Sequence, residues 1–594
     1  MEKMNKTSKL SDIILYVSLV AFFSFVVYAL YINQEVFYTA HDRSEFFYGA
    51  TFLHSLMSKP FGLMQYVGAW LTLLFCKPAF GSVVMMLVWI LIGWVGTKAF
   101  RLKGTAVALM LLPIACLLTS VVDLGYWIYI YPPKGYWFSQ SVAYLLMLLL
   151  LWVARATPRR WHLAWYLLAL CAYPVLGWFA LLFVITLALT EKPSWRELLA
   201  LFLLCFTAST WRTLLYSNLK SDEVLFAGFP RFITPLDSCD RLSLPFWVLG
   251  AVTVLIPLCS KYLTKWFVPV LCAAVGVIFT LSLMFRDQNY LKEMRMVRYA
   301  YNDNWKEVLN MAAENPRPTT TMVFLKNIAL MNEGGLLDCS FKSGNISFPV
   351  YNPDTIHVGF LEISSPLAYY NYGMTNEAVR LNFENAIQKG FSPLYLKMLA
   401  RCALAKEDDK LVERYTTILR HCPFYADWQP APVSEKVKEL QASYPDELTG
   451  VENSDSYLVN SISLWYKTDS KLASEQALFY AMISCDSHRF WPSLRNYLMK
   501  HIDEDFPVHA QEAYILFIDK FPEEKRMMIP VEETVYNRYK QFCETLARLV
   551  KPGKTIGTVA GEMGGEWGDT YWYYYYFGRQ YSNIAERKDN EVQS

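Results

Sequence analysis

The sequence predicts an all-α protein in two parts: a polytopic helical membrane domain of about nine spans, with two juxtamembrane surface helices after the first, followed by a soluble helical-repeat domain. Three observations carry this. The 594 residues are 54% hydrophobic and 16% aromatic with a mean hydropathy of +0.19, too apolar for a soluble protein of ordinary composition. Apolar runs of spanning length follow one another as far as Phe285. From Arg286 charges become frequent, the runs shorten, and apolar residues recur at helical spacing. These shifts divide the chain into a membrane domain over 1–285 with its first outer loop at 33–79, a helical extramembrane domain over 286–551, and a glycine- and aromatic-rich tail over 552–594.

A net charge of +2 and a pI near 7.8 give no basic block of the kind that binds nucleic acid, so that partner is excluded. None of the twelve cysteines stands in a CxxC pair or at zinc-site spacing. Six of them lie in or beside apolar segments and behave as small hydrophobes; the other six are able to pair in an oxidising compartment, in a pattern that spacing does not decide.

Taken in order, Lys3, Lys6 and Lys9 precede an apolar run from Ile13 to Ile32 with no small-x-small cleavage site, which predicts a retained first span with a cytoplasmic N-terminus. The loop that follows holds His41-Asp42-Arg43-Ser44-Glu45 and two apolar-faced stretches broken at Lys59-Pro60-Phe61-Gly62. Phe46, Phe47, Ala50, Leu53, Leu56 and Met57 recur at helical spacing, and 61–76 falls short of the roughly 20 residues a span needs. Both are read as helices lying on the outer membrane surface.

Further runs at 80–97, 104–122, 137–154, 161–190, 197–216, 244–260 and 266–285 are long enough to cross. Pro174 and Gly177 sit in the middle of 161–190, which is either one tilted helix or a hairpin of two short ones bent at Tyr173-Pro174-x-x-Gly177. The positive-inside rule selects the hairpin, because the inner segments then carry 13 Lys/Arg in 35 residues and the outer loops 7 in 88. The extramembrane half lies outside, which in a Gram-negative cell is the periplasm.

Beyond Arg286, NWKEVLNMAAENPRP (304–318), MTNEAVRLNFENAIQKG (374–390, capped by Thr375), LASEQALFYAMI (472–483) and VHAQEAYILFIDKFP (508–522) read as paired helices, loosely tetratricopeptide-like. Gly, Pro and Asn over 333–365 predict a long loop. Gly561, Gly564, Gly565 and Gly568 lead into the aromatic run Tyr571–Phe577, which either docks on the helices or touches the outer leaflet as an aromatic belt.

A first span, an outer loop with an acidic motif and two surface helices, then further spans and an outer soluble domain resemble the C-type glycosyltransferase superfamily. Those membrane enzymes transfer sugars from polyprenyl-phosphate donors on the outer face. The resemblance implies a base or metal ligand at Asp42, with Glu45 nearby, and a second acid at Asp123 in VVDLGYWIYIYPPKGYW. The chain has Asp42-Arg43 where the superfamily has an adjacent Asp-Glu pair, and it has no DxD. GMTNEAVRLNFENAI (373–387) and FPVHAQEAYILFI (506–518) resemble a bacterial domain-of-unknown-function family of multi-span proteins with a helical periplasmic C-terminal half.

In residue chemistry, Asp42 is able to take a proton from an acceptor hydroxyl, and His41 to assist it or join it in holding a divalent metal, the one cofactor such a site would call for. Arg231 and Arg241, in the third outer loop, suit a lipid phosphate. The alternative is structural: Asp42 or Ser44 caps the first surface helix, Asp123 is an interface residue, Arg212 snorkels, and Trp127, Tyr129, Tyr131, Tyr136 and Trp137 form a membrane belt. Three functions stay open. One is a glycosyltransferase-like protein using a polyprenyl-phosphate sugar on the outer face of the bacterial inner membrane. Another is a membrane-anchored scaffold that binds an envelope protein through its repeats. A transporter is disfavoured, because the spans carry few interior charges and show no matched halves.

Overall fold

A twenty-residue run, apolar but for Ser18 and Ser24 and without a helix breaker, makes the first element one long helix, α1 (Glu2–Ile32). The computed structural model describes residues 2–578 apart from 131–133, 192–194, 234–238, 261, 343–359, 445–457, 459–461, 464–466, 520–528 and 551–553, and its elements are helices. In the apolar half, α1 is followed by α2 (Gln34–Arg43), α3 (Ala50–Met57), α4 (Gly62–Thr72), α5 (Pro78–Ala99), α6 (Leu111–Val122), α7 (Trp127–Ile130) and α8 (Tyr136–Ala156). Then come α9 (His162–Cys171), α10 (Tyr173–Leu176), α11 (Trp178–Thr190), α12 (Trp195–Leu214), α13 (Ser221–Leu225), α14 (Leu244–Cys259) and α15 (Val268–Leu283).

Five segments are long and apolar enough to cross a membrane: Leu10–Ile32, Pro78–Ala99, Gly104–Val122, Tyr136–Ala156 and Asp240–Cys259. Gly62–Cys76, Trp178–Thr190 and Val268–Leu283 are shorter apolar helical segments. Gly104–Val122 is buried along nearly its whole length, whereas the 10–32 and 78–99 segments keep most of their surface outward, so the former is the centre of the bundle. Small polar side chains stitch it, as in Trp89 to Ser141 at 3.0 Å and Thr119 to Thr280 at 3.0 Å.

Helix ends sort onto two rims. On one, Arg101 donates to Arg155 O, Arg155 donates to Ala99 O, and Arg155 pairs with Glu191. On the other, Phe285 N donates to Val122 O, and Tyr290 donates to Gly125 O. The run at 161–190 is a hairpin in three pieces, broken at Gly177 (φ 56°), and its tip meets the second rim: Trp178 N donates to Ala227 O and Phe61 N to Pro174 O.

The outer loop differs from the sequence reading. Residues 34–43 form a helix, Ser44 closes it, and the next helix begins only at Ala50 after Gly49, so neither Asp42 nor Ser44 caps a surface helix. The cause is long-range: α2 is held by the polar half, to which its charged residues bond. The predicted break at Lys59-Pro60-Phe61-Gly62 separates α3 from α4, and α4 packs along α8. Trp127, Tyr129, Tyr136 and Trp137 are buried and form no lipid-facing belt, because the polar-half helices Gln288–Tyr301 and Phe360–Asn371 cover this rim; Tyr131 lies outside the described residues.

The polar half comprises α16 (Gln288–Tyr301), α17 (Trp305–Ala313), α18 (Thr320–Glu333), α19 (Leu336–Cys339), α20 (Phe360–Asn371), α21 (Thr375–Lys389), α22 (Pro393–Ala405), α23 (Asp409–Arg420) and α24 (Glu435–Ser443). It continues with α25 (Lys471–Ile483), α26 (Ser487–Lys500), α27 (Val508–Ile518), α28 (Glu533–Leu549), α29 (Ile556–Trp567) and α30 (Tyr571–Tyr573). Consecutive helices pack on each other, as at α17/α18, α22/α23 and α25/α26. Met374, not Thr375, stands at the N-cap of α21. Most of the expected 333–365 loop lies outside the described residues. The aromatic run docks on the helices: Tyr571 N donates to Glu512 Oε2 at 2.7 Å, Trp572 Nε1 to Glu512 O at 2.8 Å, and both rings are fully buried.

Candidate functional site

On the second rim the turn between α3 and α4, the start of α8 and the segment from Leu219 to Ile233 border an open-mouthed cavity of about 480 Å³. Its shape follows from two glycines. Phe61, itself at φ 71°, lays its ring against Gly177 and Gly228, and a Cβ on Gly228 would sit 2.5 Å from that ring. Both glycines also have positive φ, 56° and 74°, which a side chain would strain. Gln140 ties the wall together, donating to Gly228 O at 2.7 Å while its carbonyl accepts from Trp178 Nε1 at 3.4 Å.

Four cations line this cavity, Lys59, Lys134, Lys220 and Arg231, together with Asp222 and Glu223. Apolar wall comes from Phe61, Phe226 and Phe229. Phe229 lies tilted against Trp247 of α14 at 4.5 Å, and Trp247 is more than half exposed, so aromatic contact leads from the outside of the bundle to the cavity wall. Arg231 rests over the Phe226 ring at 4.8 Å and pairs with Asp222 at 3.1 Å. That hydrogen bond holds the Asp222 carboxyl below the usual carboxylate range.

Lys134 also borders a second, much smaller cavity with Arg43, Glu45 and Lys389, and there its ammonium pairs with Glu45 at 2.5 Å. Glu45 in turn abuts the backbone of the polar half at Gly390, where a Cβ would sit 2.4 Å from its Oε2.

The predicted site residues therefore divide. Arg231 lines the large cavity, and Glu45 lines the smaller one, joined to the large cavity's wall only through Lys134. Asp42 lines neither. Its Oδ1 accepts from the Tyr425 hydroxyl at 3.3 Å, and the Tyr425 oxygen meets His41 Nε2 at 2.9 Å. One hydroxyl thus joins both side chains, and because it has one proton it donates to only one of them at a time. Burial lowers the His41 pKa, which favours the neutral ring. Asp123 is buried at the end of α6, and both its carboxylate oxygens lack a hydrogen-bond partner among the described residues. Burial raises its pKa far above the usual range, against the partial opposition of Arg241. Arg241 donates to Leu283 O at 3.1 Å, away from the cavity.

His41 and Asp42 do not fit a metal ion: His41 Nε2 is taken by Tyr425, and no group of three His, Cys, Asp or Glu suited to a metal exists among the described residues. Sequence reasoning missed Lys59, Lys134, Lys220 and Asp222. Their signal is weak but physical, single cations in Pro- or Ser-marked turns (KPFG, PPKG, LKSD) beside apolar helices. It also missed Glu35, whose buried carboxylate receives Arg295 at 2.9 Å and Arg298 at 3.0 Å from α16.

These features define a helical protein with membrane-length apolar helices, a capped polar half and a cationic cavity between its loops. Residues 9–578 match the model of a family of unknown function (DUF6057), and the chain belongs to that family. No curated protein and no solved structure matches it.

Proposed function

We propose that the protein is a glycosyltransferase-like membrane protein that takes a polyprenyl-phosphate-linked sugar in the large cavity, on the outer face of a bacterial inner membrane. In this reading the nine rim-to-rim segments, counting both hairpin arms, place the N-terminus inside and the tetratricopeptide-like polar half in the periplasm. The observation that carries it is the cavity's mixed wall, four cations beside an aromatic surface in contact with the exposed Trp247 of α14. An amphiphile with a phosphate head and an isoprenoid tail needs both.

Helix length adds depth. The α11 arm, 13 residues, rises about 20 Å against a hydrocarbon layer of about 30 Å, so the cavity floor sits about 10 Å beneath the outer boundary, within reach of a membrane-borne lipid. In the transfer, an acceptor hydroxyl attacks the anomeric carbon while its proton passes to the Glu45 carboxylate. The bond from that carbon to the phosphate oxygen breaks, and the lipid phosphate leaves with its charge met by Lys134, Lys220 and Arg231.

Purified protein in nanodiscs, given a panel of polyprenyl-phosphate hexoses, should release polyprenyl phosphate, and Glu45→Gln should slow release by about 10²–10⁴. No release from any of the panel by the wild type, or full activity in Glu45→Gln, would count against transfer. A scaffold is the second reading, and one observation favours it: Asp42, the acid first expected to catalyse, is engaged by Tyr425 of the polar half. Under that reading the stacked helices are the binding surface, and Glu45→Gln leaves function intact.

A further inference from the structure

The cavity's best-placed cations are not bare. Lys134 is held by Glu45 at 2.5 Å and Arg231 by Asp222 at 3.1 Å; Asp222 lines the cavity itself, whereas Glu45 approaches Lys134 from the smaller cavity beside it. Building on the lipid-phosphate reading, we propose that these are exchangeable counter-ion pairs: the polyprenyl phosphate that forms as the sugar departs displaces Glu45 from Lys134 and Asp222 from Arg231.

Chemistry favours the exchange as transfer proceeds. The donor's phosphodiester carries one charge, as a carboxylate does, but the polyprenyl phosphate left when the sugar departs is a monoester with more charge and more acceptor oxygens, and a guanidinium presents two parallel N–H groups to it. Asp222 is 54% exposed, and its ion pair with Arg231 is of the weak, solvent-facing kind. Arg231 does not depend on Asp222 for its position, because it lies over Phe226. Glu45 is different, only 12% exposed, and once released it stays where Gly390 and the small cavity confine it. A carboxylate paired with an ammonium is a poor base, so the charge that develops on the leaving phosphate, by drawing Lys134 away, makes Glu45 a better acceptor for the hydroxyl proton.

The test is binding of a long-chain polyprenyl phosphate to full-length protein in nanodiscs, with the matching polyprenol and inorganic phosphate as separate arms. Neutralising a resident carboxylate removes a competitor, so Glu45→Gln and Asp222→Asn should each bind the lipid phosphate about two- to fivefold tighter than wild type. Lys134→Gln and Arg231→Gln should bind it about tenfold or more weakly, and Lys134→Arg should restore most of the loss. Melting curves of each variant separate these effects from misfolding. If wild type binds the lipid phosphate but the carboxylate variants bind equally or less tightly, the exchange is wrong while the lipid reading stands. Absence of lipid-phosphate binding to wild type overturns both. Inorganic phosphate binding as tightly as the lipid, with the same pattern across variants, supports the exchange and overturns the lipid as its ligand.

Discussion

Glu293 is enclosed where α16 meets α7 and α18, accepting from the Thr319 hydroxyl and lying beside Tyr126. Burial pushes its pKa up to about 7 against the lowering effect of Thr319. Between about pH 4.5 and 7 the native protein thus keeps a proton that the unfolded chain has lost. Stability from this group is intact below that window and falls as pH rises through it, by up to ~3 kcal/mol at 1.36 kcal/mol per unit. His41 acts in the opposite direction, its lowered native pKa making stability rise toward pH 6.5. Glu293→Gln keeps an acceptor for Thr319 and removes the titration. Its melting temperature should therefore gain on wild type as pH rises from 5 to 8; a gap independent of pH would show that Glu293 does not titrate in the native protein.

At the scale of elements, α2 links the two halves. Its Glu35 bonds Arg295 and Arg298 of α16, Arg43 reaches Tyr395 of α22 and lies over Tyr129, and His41 and Asp42 share Tyr425. Glu35→Gln should weaken the α16 contact by about 1.5–3 kcal/mol, the worth of charged hydrogen bonds. Hydrogen exchange should accelerate in α16 while the α5/α8 pair keeps its protection, and unchanged exchange in α16 would refute the clamp. This link also marks what sequence could show. The apolar runs, the hairpin at Pro174 and Gly177, the turn at Lys59–Gly62 and the paired helices were legible because each is a local pattern of periodicity or a breaker. Helix α2 was not, because its partners lie more than 250 residues away and its charges read locally as loop. The site was half legible for the same reason: Arg231 stood out as a cation in an outer loop, whereas the pairing of Lys134 with Glu45 needed the fold.

At the scale of the whole molecule, the contacts set a parity. Glu35 after α1, Val122 at the end of α6 and Phe285 after α15 gather on one rim, while Ala99, Arg155 and Glu191 gather on the other. The chain must therefore pass from Glu191 to the cavity through α12, and from the end of α14 back to Phe285 through α15, although α15 has only 16 residues, about 24 Å of rise. Lys98, Arg101, Lys103, Arg155, Arg159 and Arg160 all belong to the Glu191 rim or its adjoining turns, which the positive-inside rule assigns to the cytoplasm. Proposed on that basis, the cavity and the polar half lie outside. A reporter active only outside the cytoplasm should work when fused after Phe285 and fail when fused after Lys103, and a cytoplasm-only reporter should give the reverse. Equal signals at the two positions would mean that the rims are not the two sides of a membrane, and the entry of a lipid from the flank of α14 would fall with them.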